Sequence, residues 1–354
     1  MKKYLLLLSV LCLIILHITC QFPVDSSVLP DGKQYLVIDV ALSETYGKLS
    51  VEYSLSKLND DGGYQTLPKP KVENAYIKNG QGEKFNFNPD GSLENTFVGV
   101  VGETYQFFVE IDGKSYTSAL ETMRPCPEID SLVPIFTRED FRNPTDQNYH
   151  GFDVTAYLTD TPISDNYYQW SWIHYERATG CGLRKEPIVG EVQLPCQPFN
   201  CFNIVYSKNV IVQSDELRDG QSIAKKIVRV PFITPPSTYF LRVEQRSITP
   251  RVYAYLQSIE AQSEQVGTLF DLPATTKFSP NISNIDNPNE AILGVFNVFS
   301  SKVKNVSADR RYNINGIAPR NIPDPIPFTA DPFASAPCIE SKFRTLTQPD
   351  GWIE

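Results

Sequence analysis

Histidine, a common general base in enzymes, is scarce in this chain. The 354 residues include only three histidines, His17, His150 and His174. His17 lies in an N-terminal segment that export would remove, so a hydrolase would have to use one of the other two as its base. The sequence also contains no Gly-x-Ser-x-Gly elbow, His-Glu-x-x-His helix, phosphate-binding loop or dinucleotide fingerprint. We therefore predict a protein that is not an enzyme and has no catalytic residues. A glycan- or peptide-processing enzyme built on paired Asp and Glu is the alternative.

Metal ligands at the spacing of a known site are also missing. Cys196 and Cys201 are farther apart than the paired cysteines of a zinc site. The segment Asn59–Gly63 contains two aspartates, but their spacing is typical of a turn rather than of a calcium-binding loop. We predict that the protein binds no metal and no cofactor.

The body of the chain has no excess of positive charge and no long apolar run. Lys and Arg number 32 against 41 Asp and Glu, for a formal net charge of −9. Such an acidic chain is a poor match for nucleic acid or for the surface of an anionic membrane. No stretch after the N-terminal segment reaches the ~20 apolar residues of a membrane-spanning helix. Hydrophobic residues at 41% and charged residues at 21% nevertheless indicate a folded chain.

What the sequence does have, at its N-terminus, is the pattern of an export signal. Two lysines precede the apolar run Tyr4–Leu16, so residues 1–19 are predicted to be a signal peptide. Cys20 lies where cleavage would fall and is the predicted lipidation site, with acyl chains such as palmitate as the membrane anchor. The alternative is ordinary cleavage near this point, with Cys20 unmodified. Residues 20–33 contain Pro and Gly and would form a tether to the body.

Residues 34–124 are predicted to form an immunoglobulin-like β-sandwich. Short segments with alternating apolar and polar residues follow one another at the spacing of strands. Asp112-Gly113 between two such segments is typical of a hairpin turn. The run Arg124–Pro127 interrupts the pattern and is the predicted domain boundary.

Residues 125–354 are predicted to form a larger β-rich domain with one clear α-helix and an extended C-terminal tail. The segment Asn166–Tyr175 is dense in aromatic residues. It is interpreted as a central core strand, and a sugar- or peptide-binding platform is the alternative. The helix is predicted near 250–265, with Thr249 as its N-cap and Pro250 as its first residue.

Four further segments of this domain carry simpler predictions. An irregular excursion is expected at 182–221, a loop at Pro280–Asn284, one buried strand at Glu290–Phe299, and a tail that wraps the body in extended form at 307–354.

Cysteine use favours disulfides in an oxidising compartment. Of the seven cysteines, Cys12 leaves with the signal peptide and Cys20 is the predicted anchor. The disulfide candidates are Cys181, Cys196, Cys201 and Cys338. We expect two of the first three to pair locally, with Cys338 joined to the third. The sequence does not determine the connectivity.

Several short segments, taken in order, resemble the DUF4249 family, a group of Bacteroidota outer-membrane lipoproteins. The segments are Gly102–Tyr105, Asp112–Tyr116, Ile129–Leu132, Asn166–Trp170, Val243–Tyr255, Gly267–Asp271, Asn281–Ser283, Ala291–Phe296 and Pro349–Trp352. The resemblance implies a lipid-anchored outer-membrane protein that is exposed at the cell surface. It also implies a partner, a β-barrel of the TonB-dependent transporter type, and it brings no catalytic residues with it.

These observations lead to one leading hypothesis and one alternative of a different class. The leading hypothesis is a non-enzymatic outer-membrane lipoprotein that serves a transporter-type β-barrel as a ligand-capture or accessory subunit. The alternative is a structural subunit of an outer-membrane assembly or secretion complex, which could include other lipoproteins.

Overall fold

The structure is a computed structural model. It describes residues 35–54, 69–94, 97–137, 151–162, 165–180, 183–186, 190–193, 197–216, 220–231, 233–234, 238–264, 278–309, 320–321 and 340–352. The predicted signal peptide, Cys20 and the tether at 20–33 lie outside the described residues.

The predicted mainly β fold is confirmed. In chain order the first strands are β1 (Leu36–Leu42), β2 (Gly47–Tyr53), β3 (Val72–Asn79), β4 (Lys84–Asn86), β5 (Thr104–Ile111), β6 (Lys114–Ser118), β7 (Glu121–Thr122), β8 (Ser131–Thr137), β9 (Gly151–Thr159), β10 (Tyr167–Gly180), β11 (Leu183–Glu186) and β12 (Gly190–Gln193). They are followed by β13 (Gln197–Tyr206), β14 (Ile211–Ser214), β15 (Ser222–Pro231), β16 (Ile233–Thr234), β17 (Thr238–Ser247), helix α1 (Pro250–Glu264), β18 (Ile282–Asn284), β19 (Ile292–Leu293), β20 (Phe296–Val298), β21 (Ser300–Asp309), β22 (Arg320–Asn321) and β23 (Arg344–Thr345).

A first module consists of two sheets that share one buried core. One sheet has the order β19-β1-β2, with β20 also on β1, and the other has the order β18-β6-β5-β3-β4, with β7 on β5. Alternate residues of β1 and β5 face the common core, as the period of two of a half-buried strand requires. The hairpin between β5 and β6 turns at Asp112 and Gly113, whose φ angles of 51° and 74° are both positive, as predicted for this pair.

Three strands of this module come from late in the chain. β18 pairs antiparallel with β6, whereas β19 and β20 pair parallel with β1. All three lie outside the range 34–124 predicted for the first domain. The predicted loop at Pro280–Asn284 is wrong, because Ile282 is buried in the core and its strand pairs with β6. The immunoglobulin-like topology stays a prediction.

The single strand predicted at Glu290–Phe299 is interrupted. Gly294 separates β19 from β20 and has a φ of 89°, which other residues rarely adopt. A Cβ atom at this position would lie 2.3 Å from the carbonyl oxygen of Ile38, so the chain passes too close to β1 for a side chain. The interruption lets both short strands pair with β1.

A second module also consists of two sheets around one core. The larger has the order β21-β17-β10-β13-β23, with β14 also on β10, and the smaller has the order β15-β9-β8. β10 lies in the interior of the larger sheet, and its residues Tyr168, Trp170 and His174 are buried. The core-strand interpretation of this aromatic segment is therefore confirmed. His174 stacks on Tyr239 at 3.4 Å between ring centroids, with Nδ1 3.1 Å from the Phe240 carbonyl oxygen, which identifies it as a structural residue.

The irregular excursion predicted at 182–221 is wrong. Strands β11 to β14 occupy most of this range, and β13 pairs with β10 from Gly180 back to Ile173. Pro198 lies opposite Thr179, next to a register shift at which β13 contains more residues than the facing part of β10. Hydrogen bonding to the long edge of β10 therefore holds β13 as a strand, although its own sequence did not predict one.

Helix α1 connects the two modules. It begins at Pro250 as predicted, and the Thr249 carbonyl accepts the Tyr253 N–H at 2.9 Å. The Thr249 hydroxyl is buried without a hydrogen-bond partner, so its side chain does not cap the helix. Val252 and Leu256, on one face of the helix, are buried in a small core that includes Phe299 and residues of both modules.

The described parts of the C-terminal tail pack against the second module. β23 pairs with β13, and the Trp352 ring lies 5.0 Å from Phe202 and 5.7 Å from Phe240. The tail predicted from residue 307 thus packs on the body at 340–352, but there it forms turns at 342–343 and 350–351 rather than an extended segment, and β21 continues to Asp309. Most of the intervening segment lies outside the described residues.

Candidate functional site

An open groove of about 710 Å³ lies at one side of the second module, between the two sheets. Its apolar surface is formed by Trp172, Val205, Tyr206, Val210, Ile211, Ile227 and Val228. Its polar rim is formed by Lys208, Asn209, Lys225, Lys226, Arg229 and Glu260. The volume is in the range of sites that hold small molecules.

Strand β15 forms one wall of the groove. In the described part of the chain β15 pairs only with β9, so its other edge faces the groove. The register shifts between Lys226 and Val228, and this bulge adds Ile227 to the row of residues that face the core. Five consecutive residues, 225–229, therefore contribute to the wall.

Lys225 is an inward-facing charge on this strand. It is paired with the buried Ala156, and residues directly opposite in a ladder share a face. Its Nζ donates to the Val212 carbonyl at 2.9 Å and lies 3.5 Å from Oε1 of Glu260 on helix α1. The lysine thereby links β15 to β14 and to the helix, and it closes one end of the core.

The opposite wall comes from β10 and from the connection between β13 and β14. Val205 is paired with His174, which lies two residues along from Trp172 on the same face of β10, and Val205 is 44% exposed. The adjacent Tyr206 is 37% exposed and its ring lies 6.5 Å from that of Phe343 beside β23. Tyr206 is paired with Ile173, so its side chain lies on the opposite face of the sheet from Val205, near Phe343 of the tail. Exposed apolar surface on the groove side is provided by Val205, and exposed apolar surface in a concave site is typical of an interaction site.

Positive charge exceeds negative charge around the groove, although the whole chain is acidic. Lys226 lies 2.8 Å and Arg229 4.0 Å from Oδ1 of Asp153, which they share. Lys225 is paired with Glu260. Lys208 is exposed and has no ion pair among the described residues. Four cationic side chains and one carboxylate, Glu260, therefore line the groove, and counting the nearby Asp153 leaves an excess of two positive charges.

A second, smaller hollow of about 360 Å³ lies in the first module, and most of its polar side chains already bond to one another. The Tyr53 hydroxyl donates to Asp112 at 2.8 Å, and Lys114 lies 2.9 Å from Glu290. Burial alone would raise the pKa of Glu290, but hydrogen bonds from Lys114 and from the amide of Asn284 outweigh burial and lower this pKa. Burial and the nearby Glu290 raise the pKa of Tyr116 to about 12. Because these groups are already hydrogen-bonded or ion-paired with one another, the hollow is a weaker candidate for a binding site than the groove.

Two buried aspartates at the start of β10 form a third polar cluster. Asp160 accepts hydrogen bonds from the Tyr168 hydroxyl and, at 3.0 Å, from the Gly220 N–H. Asp215 accepts the Asn166 N–H at 2.9 Å. Burial and the negative charge of Asp160 raise the pKa of Asp215, although the hydrogen bond from Asn166 opposes them. The surrounding groups are donors, so the cluster suits buried carboxyl groups rather than a cation.

The groove can bind but has few means for chemistry. The residues that line it include no serine, cysteine or histidine, and its one carboxylate, Glu260, is paired with Lys225. Within the ranges described above, no group of three or more His, Cys, Asp and Glu residues is placed to hold a metal ion. Apolar contact and positive charge are what this site offers a ligand.

The sequence-predicted site residues lie mostly elsewhere. Cys20, Cys181, Cys196 and Cys338 are outside the described residues. Cys201 is buried on β13 and is disulfide-bonded. The other described cysteine, Cys126, is free, so the partner of Cys201 is one of the cysteines outside the described residues. The pairing itself stays a prediction.

Sequence reasoning missed the groove because its residues come from four separate strands and a helix. The one signal available was Lys225-Lys226 inside a segment that otherwise predicts a buried strand. None of the helices in the described part of the chain is both long and apolar enough to cross a membrane.

Comparison with known proteins identifies the family. No curated protein matches the sequence significantly. The family model described as "Domain of unknown function (DUF4249)" matches residues 21–305, which is most of the chain and most of both modules. The resemblance seen in the short segments is thereby confirmed, and the chain belongs to the DUF4249 family.

Proposed function

We propose that this protein is a non-enzymatic outer-membrane lipoprotein, anchored through Cys20 and exposed at the cell surface. It associates with a β-barrel of the TonB-dependent transporter type and serves it as a ligand-capture or accessory subunit. The proposal joins an attachment at one end of the chain to a binding surface on its folded body.

The observation that carries the proposal is the position of Cys20. It follows an apolar run of signal-peptide length, and the family match begins at residue 21, directly after it. A family match that begins there supports the interpretation of the preceding residues as a leader that is removed on export. Acyl chains on Cys20 would hold the body at the membrane surface, since each buried CH₂ contributes about 0.8 kcal/mol.

The groove supports a binding role rather than a purely structural one. An apolar surface rimmed by polar groups in a concave site is the general form of a ligand site. Its residues include Trp172, the exposed Val205 and an exposed lysine, Lys208. A subunit that served only as a spacer would not need this open apolar surface.

The test is purification of the protein in mild detergent from the membranes of its own cells. We expect a β-barrel protein to co-purify in about equal amount, as judged by gel and mass spectrometry. A Cys20→Ser variant is the control, because it removes the acyl chains without changing the body. Emergence of the wild-type protein alone under conditions that preserve other membrane complexes would contradict the proposal.

Deletion of the gene separates this role from the alternative of a structural subunit. A growth defect confined to particular nutrients supports ligand capture. Broad envelope damage, measured as sensitivity to detergents and large antibiotics, supports a role in assembly or secretion instead.

A further inference from the structure

We propose that the groove of the second module binds a small amphipathic organic anion. The apolar body of the ligand lies between the two sheets, and its single anionic head group lies at Lys208. This inference rests on the proposed ligand-capture role and names the chemical class of the ligand.

The apolar half of the site is already assembled. Ile211 and Ile227 in the lining of the groove are buried, and Trp172 is half-buried. Val205 remains 44% exposed and lies on the same face of its sheet as Trp172. A hydrocarbon or aromatic body placed there would cover Val205, at roughly 25 cal/mol for each Å² of apolar surface removed from water.

The charged side chains of the site determine which sign of charge a ligand should carry. Lys225 is committed to Glu260 and to the Val212 carbonyl, and Lys226 lies against Asp153. Arg229 shares Asp153 at 4.0 Å and donates to the Thr137 carbonyl at 3.3 Å. Lys208 is left as the exposed cation without a partner in the described part of the chain. One uncommitted cation, backed by a further positive charge, suits a single anionic group.

An extended peptide added to β15 is the competing occupant, and the strand is built against it. An inward-pointing charge and a bulge are two common protections of an edge strand against pairing. β15 has both, in Lys225 and in the register shift after Lys226. The observations therefore favour a small molecule over a strand.

The experiment compares two ligands that differ only in the sign of their head group, decanoate and decyltrimethylammonium. Each is titrated calorimetrically, below its micelle concentration, into the full exported chain carrying Cys20→Ser, which needs no detergent. We expect decanoate to bind and the cationic analogue to bind at least about tenfold more weakly, given attraction and repulsion at a charged site. Equal binding of the two, or no binding of decanoate, would overturn the inference.

Two pairs of variants locate the binding site. Lys208→Gln is expected to weaken decanoate binding about fivefold, the effect of one exposed ion pair. Lys78→Gln, at an exposed lysine of β3, is the matched control and should have no effect. Val205→Ser should weaken binding by a similar factor. Val303→Ser should not, although Val303 on β21 is exposed to the same 44%.

The controls also keep the outcomes distinct. Each variant is first checked for unchanged thermal unfolding, and all four sites are exposed enough to tolerate the change. Equal losses in a test variant and its control would overturn the assignment to the groove, as would tight binding of an acidic peptide without binding of decanoate. Co-purification with a β-barrel does not depend on these titrations, so the inference and the proposed function fail separately.

Discussion

Replacement of Gly294 by alanine tests how the late strands join the first module. Gly294 has a φ of 89°, and a Cβ atom there would lie 2.3 Å from the Ile38 oxygen and 2.6 Å from the Ile38 carbonyl carbon. Both are rigid backbone atoms of β1, so β19 and β20 would have to move away from it. Gly102 offers a matched control with a φ of 90° and no atom within 4 Å of an added Cβ.

The two variants share the cost of positive φ and differ in the close approach. A left-handed conformation costs a residue with a side chain roughly 1–2 kcal/mol. Overpacking against atoms that cannot yield adds about 1–3 kcal/mol. We therefore expect Gly102→Ala to lower the free energy of unfolding by about 1–2 kcal/mol, and Gly294→Ala by about 2–5 kcal/mol.

Urea denaturation followed by tryptophan fluorescence and circular dichroism measures both values. The midpoint should fall further for Gly294→Ala than for Gly102→Ala, with the denaturant slope unchanged for each. Equal losses in the two variants would refute the reasoning, because they would mean that the chain at residue 294 does not lie against β1.

Three further predictions address the rest of the fold. Trp352→Ala removes a half-buried ring from Phe202 and Phe240 and should cost about 1–3 kcal/mol, less than a fully buried tryptophan; an unchanged melting temperature would mean that the C-terminal segment does not pack there. Asp215→Asn should stabilise the protein at pH 7, because the raised pKa of Asp215 makes its charged form unfavourable in the folded state. That gain should shrink as the pH falls through the folded pKa towards the ordinary value of 3.8, and a gain that grew on acidification would contradict it. Reduction with dithiothreitol should lower the melting temperature of the wild type, since a disulfide typically contributes about 2–4 kcal/mol. Cys201→Ser should melt lower than the wild type and respond less to the reductant, because the disulfide of Cys201 is already lost, whereas Cys126→Ser, at a free thiol, should respond as the wild type does.

Local patterns in the sequence were sufficient for elements that carry their own signal. The hairpin at Asp112-Gly113 follows from the need for positive φ at both turn residues. Helix α1 follows from Pro250 and from apolar residues at helical spacing. The aromatic segment of β10 is apolar on both faces, which is the pattern of a strand whose sheet is covered on both faces, and such a strand is more often central than at an edge.

Elements that depend on distant partners could not be predicted in the same way. β18 contains polar residues and becomes a strand only because β6 presents a free edge more than 160 residues earlier in the chain. β13 likewise forms a strand by pairing with β10, although it contains Pro198. The Thr249 side chain, a good N-cap by type, is buried where it makes no hydrogen bond, which its sequence does not indicate.

The groove is another feature that depends on distant parts of the chain and could not be predicted from local sequence. Its position depends on the packing of one sheet on the other and on a bulge at Lys226, and neither is encoded by a local motif. The overall charge did not predict it either, because a chain with a net charge of −9 gives no reason to expect a cationic rim. Only the assembled sheets bring Lys208 and Lys225 to the same opening.

The measurement that tests the central claim most directly is the intact mass of the mature protein, purified from membranes. If the protein is an anchored lipoprotein, its chain begins at Cys20 and carries the mass of a diacylglyceryl group, together with a further acyl chain where the N-terminus is also acylated. An N-terminal residue without lipid, whether Cys20 or a neighbour, would contradict the anchored lipoprotein.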